Sequence, residues 1–254
     1  ISFDKESGYL NNWIVGGEFV IQPGAALTPN FWRAPTDNDY GANIQRRLAV
    51  WKNPGLKLTS LNNEVKDGQV IVTANYDMEA VQAKLALTYT ISNTGAIVVK
   101  QKMTTTKDAK VASLFRFGMQ LTLPARYNDV KYYGRGPVEN YNDRKSASFV
   151  GLYEQTVDEQ FHDYQRPQET GNKTDLRFYE LSDNHHNTLH ITSDKLFSAS
   201  ALHYKMSDLD DGDSKRQNHP EYLRKGDTYV NIDLGQMGMG CVNSWGAWPR
   251  KEYQ

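Results

Sequence analysis

The chain has 254 residues, of which 39% are hydrophobic and 23% are charged, and its formal net charge is −1. Such a chain is long enough to bury about 70–75% of its unfolded surface, and its near neutrality gives no electrostatic reason to bind nucleic acid or a membrane. No apolar run reaches the roughly 18 residues of a membrane-spanning helix. A single cysteine, Cys241, excludes an intrachain disulfide framework, and we expect it to be buried.

The first fifty residues predict short strands followed by one helix. Between residues 1 and 21, short apolar segments are separated by glycine turns, which is typical of a meander of small hairpins. Further on, Ile44, Leu48 and Trp51 recur at helical spacing before Asn53-Pro54-Gly55. This spacing predicts the one substantial helix of the chain, and a short one.

Most of the remaining chain predicts long antiparallel strands. From Leu56 to Pro124, apolar and polar residues alternate with period two, and Asp67-Gly68 is a typical hairpin turn. More strands are predicted at residues 187–192, 197–204 and 229–234. Strands every ten or so residues with little helical period indicate an all-β fold, two large antiparallel sheets packed face to face in a single domain over residues 1–254.

The segment from Pro29 to Gly41 has an unusual composition, with aromatic residues, an arginine and an acidic run in thirteen positions. Asp and Asn side chains in the run can bind their own backbone, and Gly41 can take a positive φ, so we expect a rigid irregular loop. Arg33 is expected to pair with one of the carboxylates as a bidentate bridge. Two interpretations stay open and are compatible: a self-satisfied turn, or a surface that holds a ligand.

Four segments in order resemble a known family. Phe31 to Gly41 closely resembles the opening motif of the C-terminal small chain domain of family 2 β-galactosidases. The segments that resemble later parts of the same domain are Tyr133 to Arg144, Pro167 to Asn172, and Gly238 to Gly240 with Asn243 to Gly246. Together they extend over nearly the whole chain.

The resemblance implies a galactose mutarotase-like β-sandwich, excised from the C-terminal end of a longer enzyme and lacking its last strand. The parent would hydrolyse terminal β-D-galactosides with retention, which requires two carboxylates about 5 Å apart. In the family both catalytic glutamates lie in an upstream (β/α)8 barrel, and this sequence has no βαβ alternation. We therefore expect no catalytic residue in the chain.

The resemblance also implies which residues contact the sugar. Trp245 matches the tryptophan that stacks on the sugar at the mouth of the active site, because a flat indole suits the apolar C–H face of a sugar ring. The residue type alone equally allows a core tryptophan. The further positions that match the substrate-binding wall and rim are Asn243, Asp37, Asn38, Asp39 and Gly41.

Partners and cofactors are expected for the parent more than for this chain. The resemblance implies Mg²⁺ and Na⁺ in the whole enzyme, held mainly by other domains, with no cofactor in this chain. The expected partners are a β-galactoside and the upstream domains of a homo-oligomeric enzyme, without nucleic acid or membrane. A bacterial cytoplasm or periplasm is the expected compartment.

Two polar clusters invite other interpretations. Glu139, Asp143 and Arg144 look catalytic, but a hydrogen-bonded corner after a glycine turn explains them better. The acidic run from Asp208 to Asp213 does not have the spacing of a calcium-binding EF-hand loop, so we expect a solvated acidic loop.

Two rival functions remain open at this stage. A free-standing sugar mutarotase would use a histidine acid and a glutamate base, for which His203 and Glu169 are the nearest candidates. A non-catalytic carbohydrate-binding module would depend on a solitary stacking tryptophan and bind weakly, at about millimolar affinity.

Overall fold

Antiparallel β-strands form most of the regular structure. The computed structural model describes residues 1–110, 113–215, 223–241 and 245–254. Within these residues the strands are β1 (Ser2–Phe3), β2 (Leu10–Asn12), β3 (Ile14–Val15), β4 (Glu18–Phe19), β5 (Thr28–Asn30), β6 (Leu56–Lys66), β7 (Gln69–Met78), β8 (Ala83–Ile91), β9 (Ile97–Thr105), β10 (Arg116–Leu123), β11 (Asp129–Gly136), β12 (Phe149–Thr156), β13 (Lys173–Ser182), β14 (Thr188–Leu202) and β15 (Thr228–Gln236). The predicted all-β class is confirmed.

The long strands form two sheets. Seven strands pair in the order β12-β11-β13-β14-β15-β10-β5, and four pair as a meander in the order β6-β7-β8-β9. Two small hairpins, β1-β2 and β3-β4, complete the pairing near the N-terminus, where the sequence predicts them. All of these pairings are antiparallel, which confirms the predicted sandwich.

The predicted hairpin turn between β6 and β7 forms for a backbone reason. Asp67 and Gly68 have φ values of 50° and 75°. Both central residues of a two-residue hairpin turn need positive φ to match the twist of the strands, and Asp-Gly tolerates this well. The turn fixes the register, with Lys66 opposite Gln69.

The hydrophobic core lies between the two sheets. Alternate side chains of the facing strands are buried there, including Leu85, Leu87 and Tyr89 of β8 and Met119, Leu121 and Leu123 of β10. Each fully buried large apolar side chain contributes about 1.5–3 kcal/mol relative to exposure. The period-two pattern of the sequence is therefore the pattern of burial.

Helices are more numerous and shorter than the sequence predicts. Within the described residues there are four, each about one turn long: α1 (Asp37–Gly41), α2 (Ile44–Arg47), α3 (Val157–Gln160) and α4 (Met206–Leu209). The single helix expected over residues 44–51 is wrong in detail. It is divided into α2 and a 3-10 turn (Ala49–Lys52) at Leu48, whose φ of −106° is not helical. None of the described helices is long and apolar enough to cross a membrane.

Strand β14 differs from its prediction as two separate strands. It is continuous over fifteen residues, and its pairing with β13 shifts register twice, around Leu176. One shift leaves an extra residue on β13, where Asp175 has a positive φ of 53°, and the other leaves extra residues on β14 between Thr192 and Phe197. The polar residues 193–195 that look like a break in the sequence are thus absorbed without ending the strand.

Candidate functional site

The site forms where β5 and β15 end. Gly118 of β10 lies opposite both Asn30 of β5 and Asp233 of β15. Because both outer strands are antiparallel to β10, they run parallel to each other and their C-terminal ends lie at one edge of the sheet. The segments that follow them, residues 31–41 and residues 237–241 with 245–247, meet there.

Residues 37–41 form helix α1, so the expected irregular loop is wrong. The Thr36 hydroxyl accepts the Asp39 backbone N–H at 3.2 Å, and the Asp39 carboxylate accepts the Thr36 backbone N–H at 2.9 Å. This reciprocal capping box stabilises a helix start by about 1 kcal/mol. The acidic run therefore begins a helix, and Gly41 lies inside it without the expected positive φ.

A buried ion pair holds the helix to the sheet, as the sequence predicts for Arg33. Arg33 donates to both oxygens of Asp39, at 3.2 Å from Nε and 2.8 Å from Nη2, and both side chains are fully buried. The same guanidinium donates to the carbonyls of Met237 and Gly238, at 2.6 and 3.1 Å. Asp39 thus stabilises the site from inside the protein. Its burial does not favour the predicted contact with a sugar.

Asn38 connects α1 to the segment around Trp245. Its side-chain Nδ2 donates to the carbonyls of Met239 and Ala247, at 2.7 and 3.0 Å. Its Oδ1 accepts the backbone N–H of Gly246 at 2.7 Å. The two N–H groups and the oxygen of the buried amide are all hydrogen-bonded, so Asn38 fixes the backbone on both sides of Trp245.

Cys241 is exposed, which corrects the expectation that it would be buried. It lies in a loop with a φ of 60°, and its thiol donates to Oδ1 of Asn38. The loop that brings Cys241 to Asn38 lies outside the core, whereas a free cysteine is usually found inside a protein.

Gly41 contacts the tryptophan that the sequence singles out. A Cβ at Gly41 would lie 3.1 Å from the Gly246 Cα and 3.3 Å from Cζ2 of Trp245, so only glycine allows this approach without displacement. Trp245 is 71% exposed. The alternative of a core tryptophan is thereby excluded, and the indole lies at the surface.

Asp37 projects from the first turn of α1 and binds two cations. Its Oδ1 lies 2.9 Å from Nε of Arg166 and 2.6 Å from Nζ of Lys215. Partial burial opposes ionisation of Asp37, but the hydrogen bonds and charges of Lys215 and Arg166 outweigh it and lower the pKa. Asp37 is therefore a carboxylate at neutral pH, and its backbone N–H is bound by Gln168 at 3.0 Å.

The acidic run from Asp208 to Asp213 is only in part the solvated loop that the sequence predicts, since Asp208 and Asp213 are exposed but the residues between them are not. Asp210 accepts hydrogen bonds from Nε1 of Trp32 and Nζ of Lys52, at 2.9 and 2.7 Å. Asp211 is buried and pairs with Arg166 at 2.9 Å. Cations that lie far away in sequence compensate the burial, which a local pattern does not reveal.

An open cleft of about 330 Å³ lies beside these residues. Its walls are Tyr40, Gly41, Asn43, Gln45, Arg46, Asp213, Ser214, Lys215 and Trp245. The structure therefore brings Gly41 and Trp245 together at the cleft, with Asp37 held at its rim through Lys215. Asn243, the remaining predicted position, lies outside the described residues.

The sequence does not point to Lys215 as part of this site. Nζ of Lys215 lies over the indole of Trp245, 5.5 Å from the ring centroid, while it pairs with Asp37. Lysine is common on surfaces and follows no motif here, so only the fold identifies it.

The corner around Glu139 is confirmed as structural. The Glu139 carboxylate accepts hydrogen bonds from Arg144 at 3.0 Å, from Tyr164, from the Thr170 hydroxyl at 2.9 Å and from the Gly171 backbone N–H at 2.8 Å. Asp143 similarly accepts the backbone N–H groups of residues 239 and 240, each at 2.9 Å. These carboxylates are occupied in holding turns together.

A buried charged group that the sequence does not predict lies behind the site. The Arg116 guanidinium lies 3.0 Å from Glu169 and 3.0 Å from Asp233, and all three side chains are buried. Burial raises the pKa of Asp233 to about 7, which the charge of Arg116 opposes and that of Glu169 supports. Gly118 is required opposite, since a Cβ there would lie 2.1 Å from Oδ1 of Asp233.

His203 and Glu169, the candidate acid and base of a mutarotase, are each bound to other residues. Both ring nitrogens of His203 are hydrogen-bonded, Nε2 with Asn128 Oδ1 at 3.0 Å and Nδ1 with the Asp227 carbonyl at 3.2 Å. Glu169 is bound instead to Arg116. The two residues thus have separate structural partners.

Metal ligands are not grouped in the described residues: no set of three or more His, Cys, Asp and Glu side chains is placed to hold an ion. Asp37 and Asp211, two carboxylates near the cleft, are paired with Arg166.

Comparison with known proteins gives consistent matches over the whole chain. The family model described as the β-galactosidase small chain matches residues 1–254. A β-galactosidase of Lactobacillus delbrueckii subsp. bulgaricus is 34% identical over 97% of this chain, and those of Priestia megaterium and Streptococcus thermophilus are 31% and 32% identical over 99% and 91%. The chain spans only about a quarter of the length of these relatives, 24%, 24% and 22%. With the family model matched from end to end, the chain belongs to the β-galactosidase small chain family.

Proposed function

We propose that the chain is the C-terminal β-sandwich domain of a family 2 retaining β-galactosidase. In this proposal it supplies a wall and a rim of the substrate site, while the catalytic glutamates come from an upstream barrel domain. Family membership and the coverage of about a quarter of each relative support a role as one part of a larger enzyme.

The observation that carries the proposal is the exposed but immobilised indole of Trp245. Tryptophan side chains are highly buried on average. Trp245, 71% exposed beside a cleft, therefore lacks most of the stabilisation that burial of its large apolar area would give. Gly41 packs against its benzo ring, and Asn38 binds the backbone of the next residue. A flat apolar surface held in this way suits the C–H face of a galactose ring.

The rim residues would act through position and charge. Asp37 is held at the mouth of the cleft by Arg166 and Lys215, and Tyr40 is anchored by its hydroxyl to the Gly212 carbonyl at 3.0 Å. A sugar stacked on Trp245 would meet this fixed rim when it enters. The chain would thus orient the galactoside and exclude water on one side.

The chemical step is assigned to other domains. A retaining glycosidase needs one carboxylate as nucleophile, which forms the galactosyl-enzyme intermediate, and another as acid and then base. Near the cleft, Asp37, Asp210 and Asp211 each bind cations. The lowered pKa of Asp37 keeps it ionised at neutral pH, which does not suit proton donation. The β-galactoside and the upstream domains are therefore the proposed partners.

The test compares Trp245→Ala with wild type in the full-length enzyme. A lost aromatic contact of about 1.5 kcal/mol corresponds to roughly a ten-fold change in affinity, so we expect KM for nitrophenyl β-galactoside to rise about ten-fold. Phe149→Ala is the matched control, since Phe149 is a similarly exposed aromatic on β12, at the opposite edge of the seven-stranded sheet from β5. Equal KM values for the two variants would reject the proposal.

A second experiment separates the rival functions. The 254-residue chain is assayed alone for nitrophenyl β-galactoside hydrolysis and, by polarimetry, for galactose mutarotation. Neither activity is expected, because the proposed glutamates are elsewhere and His203 is bound to Asn128. Mutarotation above the uncatalysed rate would instead favour a complete site within the chain.

A further inference from the structure

Lys215 lies over one face of the Trp245 indole. We propose that Lys215 is a displaceable cap on the sugar-stacking face of Trp245, released when a galactoside binds; this inference rests on the function proposed above. It assigns a specific role in ligand affinity to a residue that no motif of the sequence singles out.

The geometry places the cation and the sugar in competition. Nζ of Lys215 lies over the indole at 5.5 Å from the ring centroid. Rings stacked on an aromatic face have centroid separations of about 4.5–7 Å, so a sugar ring on this face would occupy the same space. The ammonium and the sugar therefore cannot both occupy it.

Asp37 provides the anchor that keeps the cap in place. Its Oδ1 lies 2.6 Å from Nζ of Lys215, so the lysine binds the rim and the indole at once. The ammonium thus bridges α1 and the Trp245 segment across the mouth of the cleft that both line. In the free protein the capped arrangement is the one that the structure shows.

Release of the cap leaves the Asp37 carboxylate paired. The same oxygen of Asp37 is bound by Nε of Arg166 at 2.9 Å, and Arg166 is buried while the Lys215 side chain is 37% exposed. Asp37 therefore keeps one cation when Lys215 moves, and the ammonium moves into water. Only an exposed cation–π contact and an exposed ion pair are lost, which are weak interactions.

The consequence is a modest reduction in affinity. For a ligand that needs the uncapped state, the apparent dissociation constant equals the intrinsic dissociation constant divided by the uncapped fraction. From the usual strength of such contacts, removing the cap should strengthen binding about three- to ten-fold. Added salt should reduce the difference in affinity between wild type and a variant without the cap, because salt screens the exposed ion pair of Lys215 and Asp37.

The experiment uses Lys215→Met in the full-length enzyme, which keeps a long unbranched side chain without the charge. We expect KM for nitrophenyl β-galactoside and the inhibition constant of galactose to fall about three- to ten-fold, with little change in kcat. Lys84→Met is the matched control, because Lys84 forms an equally short exposed ion pair with Asp77, 2.6 Å, on the four-stranded sheet. An unchanged or higher KM for Lys215→Met would overturn the cap.

A spectroscopic measurement tests the cap without activity. The Trp245 contribution is the difference in acrylamide quenching between a protein and its Trp245→Phe counterpart. We expect Lys215→Met to increase this quenching and Lys84→Met to leave it unchanged. Unchanged quenching in Lys215→Met would contradict a cap over the indole.

A double mutant separates this inference from the proposed function. If Trp245→Ala leaves KM unchanged, the proposed function fails, whatever Lys215 does. If Trp245→Ala raises KM but Lys215→Met does not lower it, only the cap fails. With both correct, Lys215→Met should have no effect in the Trp245→Ala background, since the two residues act on one contact.

Discussion

The Asn38 side chain accepts a hydrogen bond from the backbone N–H of Gly246 at 2.7 Å, which ties helix α1 to the residue after Trp245. The same amide donates to carbonyls on both sides of that residue, at Met239 and Ala247. One side chain thus sets the position of the cleft wall relative to the rim.

Asn38→Ala should loosen this wall. Loss of the amide leaves several backbone groups without partners, so we expect the free energy of unfolding of the chain to fall by about 2–3 kcal/mol. Tryptophan fluorescence anisotropy should also fall as Trp245 becomes more mobile. Urea denaturation and anisotropy measure the two effects. Asn75→Ala is the control, because Asn75 makes one hydrogen bond with Ser60 on the four-stranded sheet; equal losses in the two variants would contradict the special role of Asn38.

Gly41→Ala should affect the site more than stability. Gly41 is helical, where alanine is favoured over glycine by about 1 kcal/mol, so a loss of function would not come from backbone strain. The new Cβ would press on Gly246 and Trp245 at 3.1 and 3.3 Å. We expect a several-fold higher KM in the full-length enzyme with almost unchanged unfolding by urea. Gly235→Ala, where a Cβ meets nothing within 4 Å, should change neither quantity.

Asp39→Asn should destabilise the chain strongly. The substitution keeps the shape but removes the charge from a fully buried pair, so Arg33 loses its counterion. Breaking such a pair costs about 3–5 kcal/mol. Urea denaturation is the measurement, with Asp77→Asn at the exposed Lys84 pair as the control, for which we expect a loss below about 1 kcal/mol. A small loss in Asp39→Asn would show that the pair contributes little.

The pH dependence of stability should report Asp233. Its pKa is about 7 in the folded chain and about 3.9 when unfolded, so its contribution to stability is full below about pH 4 and is lost as pH rises towards 7. The slope is at most about 1.4 kcal/mol per pH unit. Wild type should therefore lose stability relative to Asp233→Asn between pH 4 and 7. Parallel curves from urea denaturation of the two proteins would contradict the raised pKa.

The fold was largely predictable because burial in a sheet is a local, periodic property. Leu85, Leu87 and Tyr89 alternate with polar neighbours in sequence and point to the core in the structure. Asp67-Gly68 determines its hairpin through backbone preference alone. Each of these features depends on residues within a few positions of one another.

The site was less predictable because its contacts join distant parts of the chain. Asp37 meets Arg166 across a separation of 129 residues, and no local pattern distinguishes either from an ordinary surface residue. The same limitation explains why the acidic residues 210 and 211 were expected in solvent. Arg33 was an exception, since Asp39 lies six residues away and reaches it directly.

The hydrogen bonds of Arg33 and Asn38 also set an order of events during synthesis. Both side chains leave the ribosome before their carbonyl partners at Met237 and Met239, which follow 204 and 201 residues later. Until then the guanidinium and the amide have only water and their neighbours as partners. Contacts of such long sequence separation form late, because the intervening loop must first be closed. The wall that carries Trp245 is thus completed only after residues 237–247 have been synthesised.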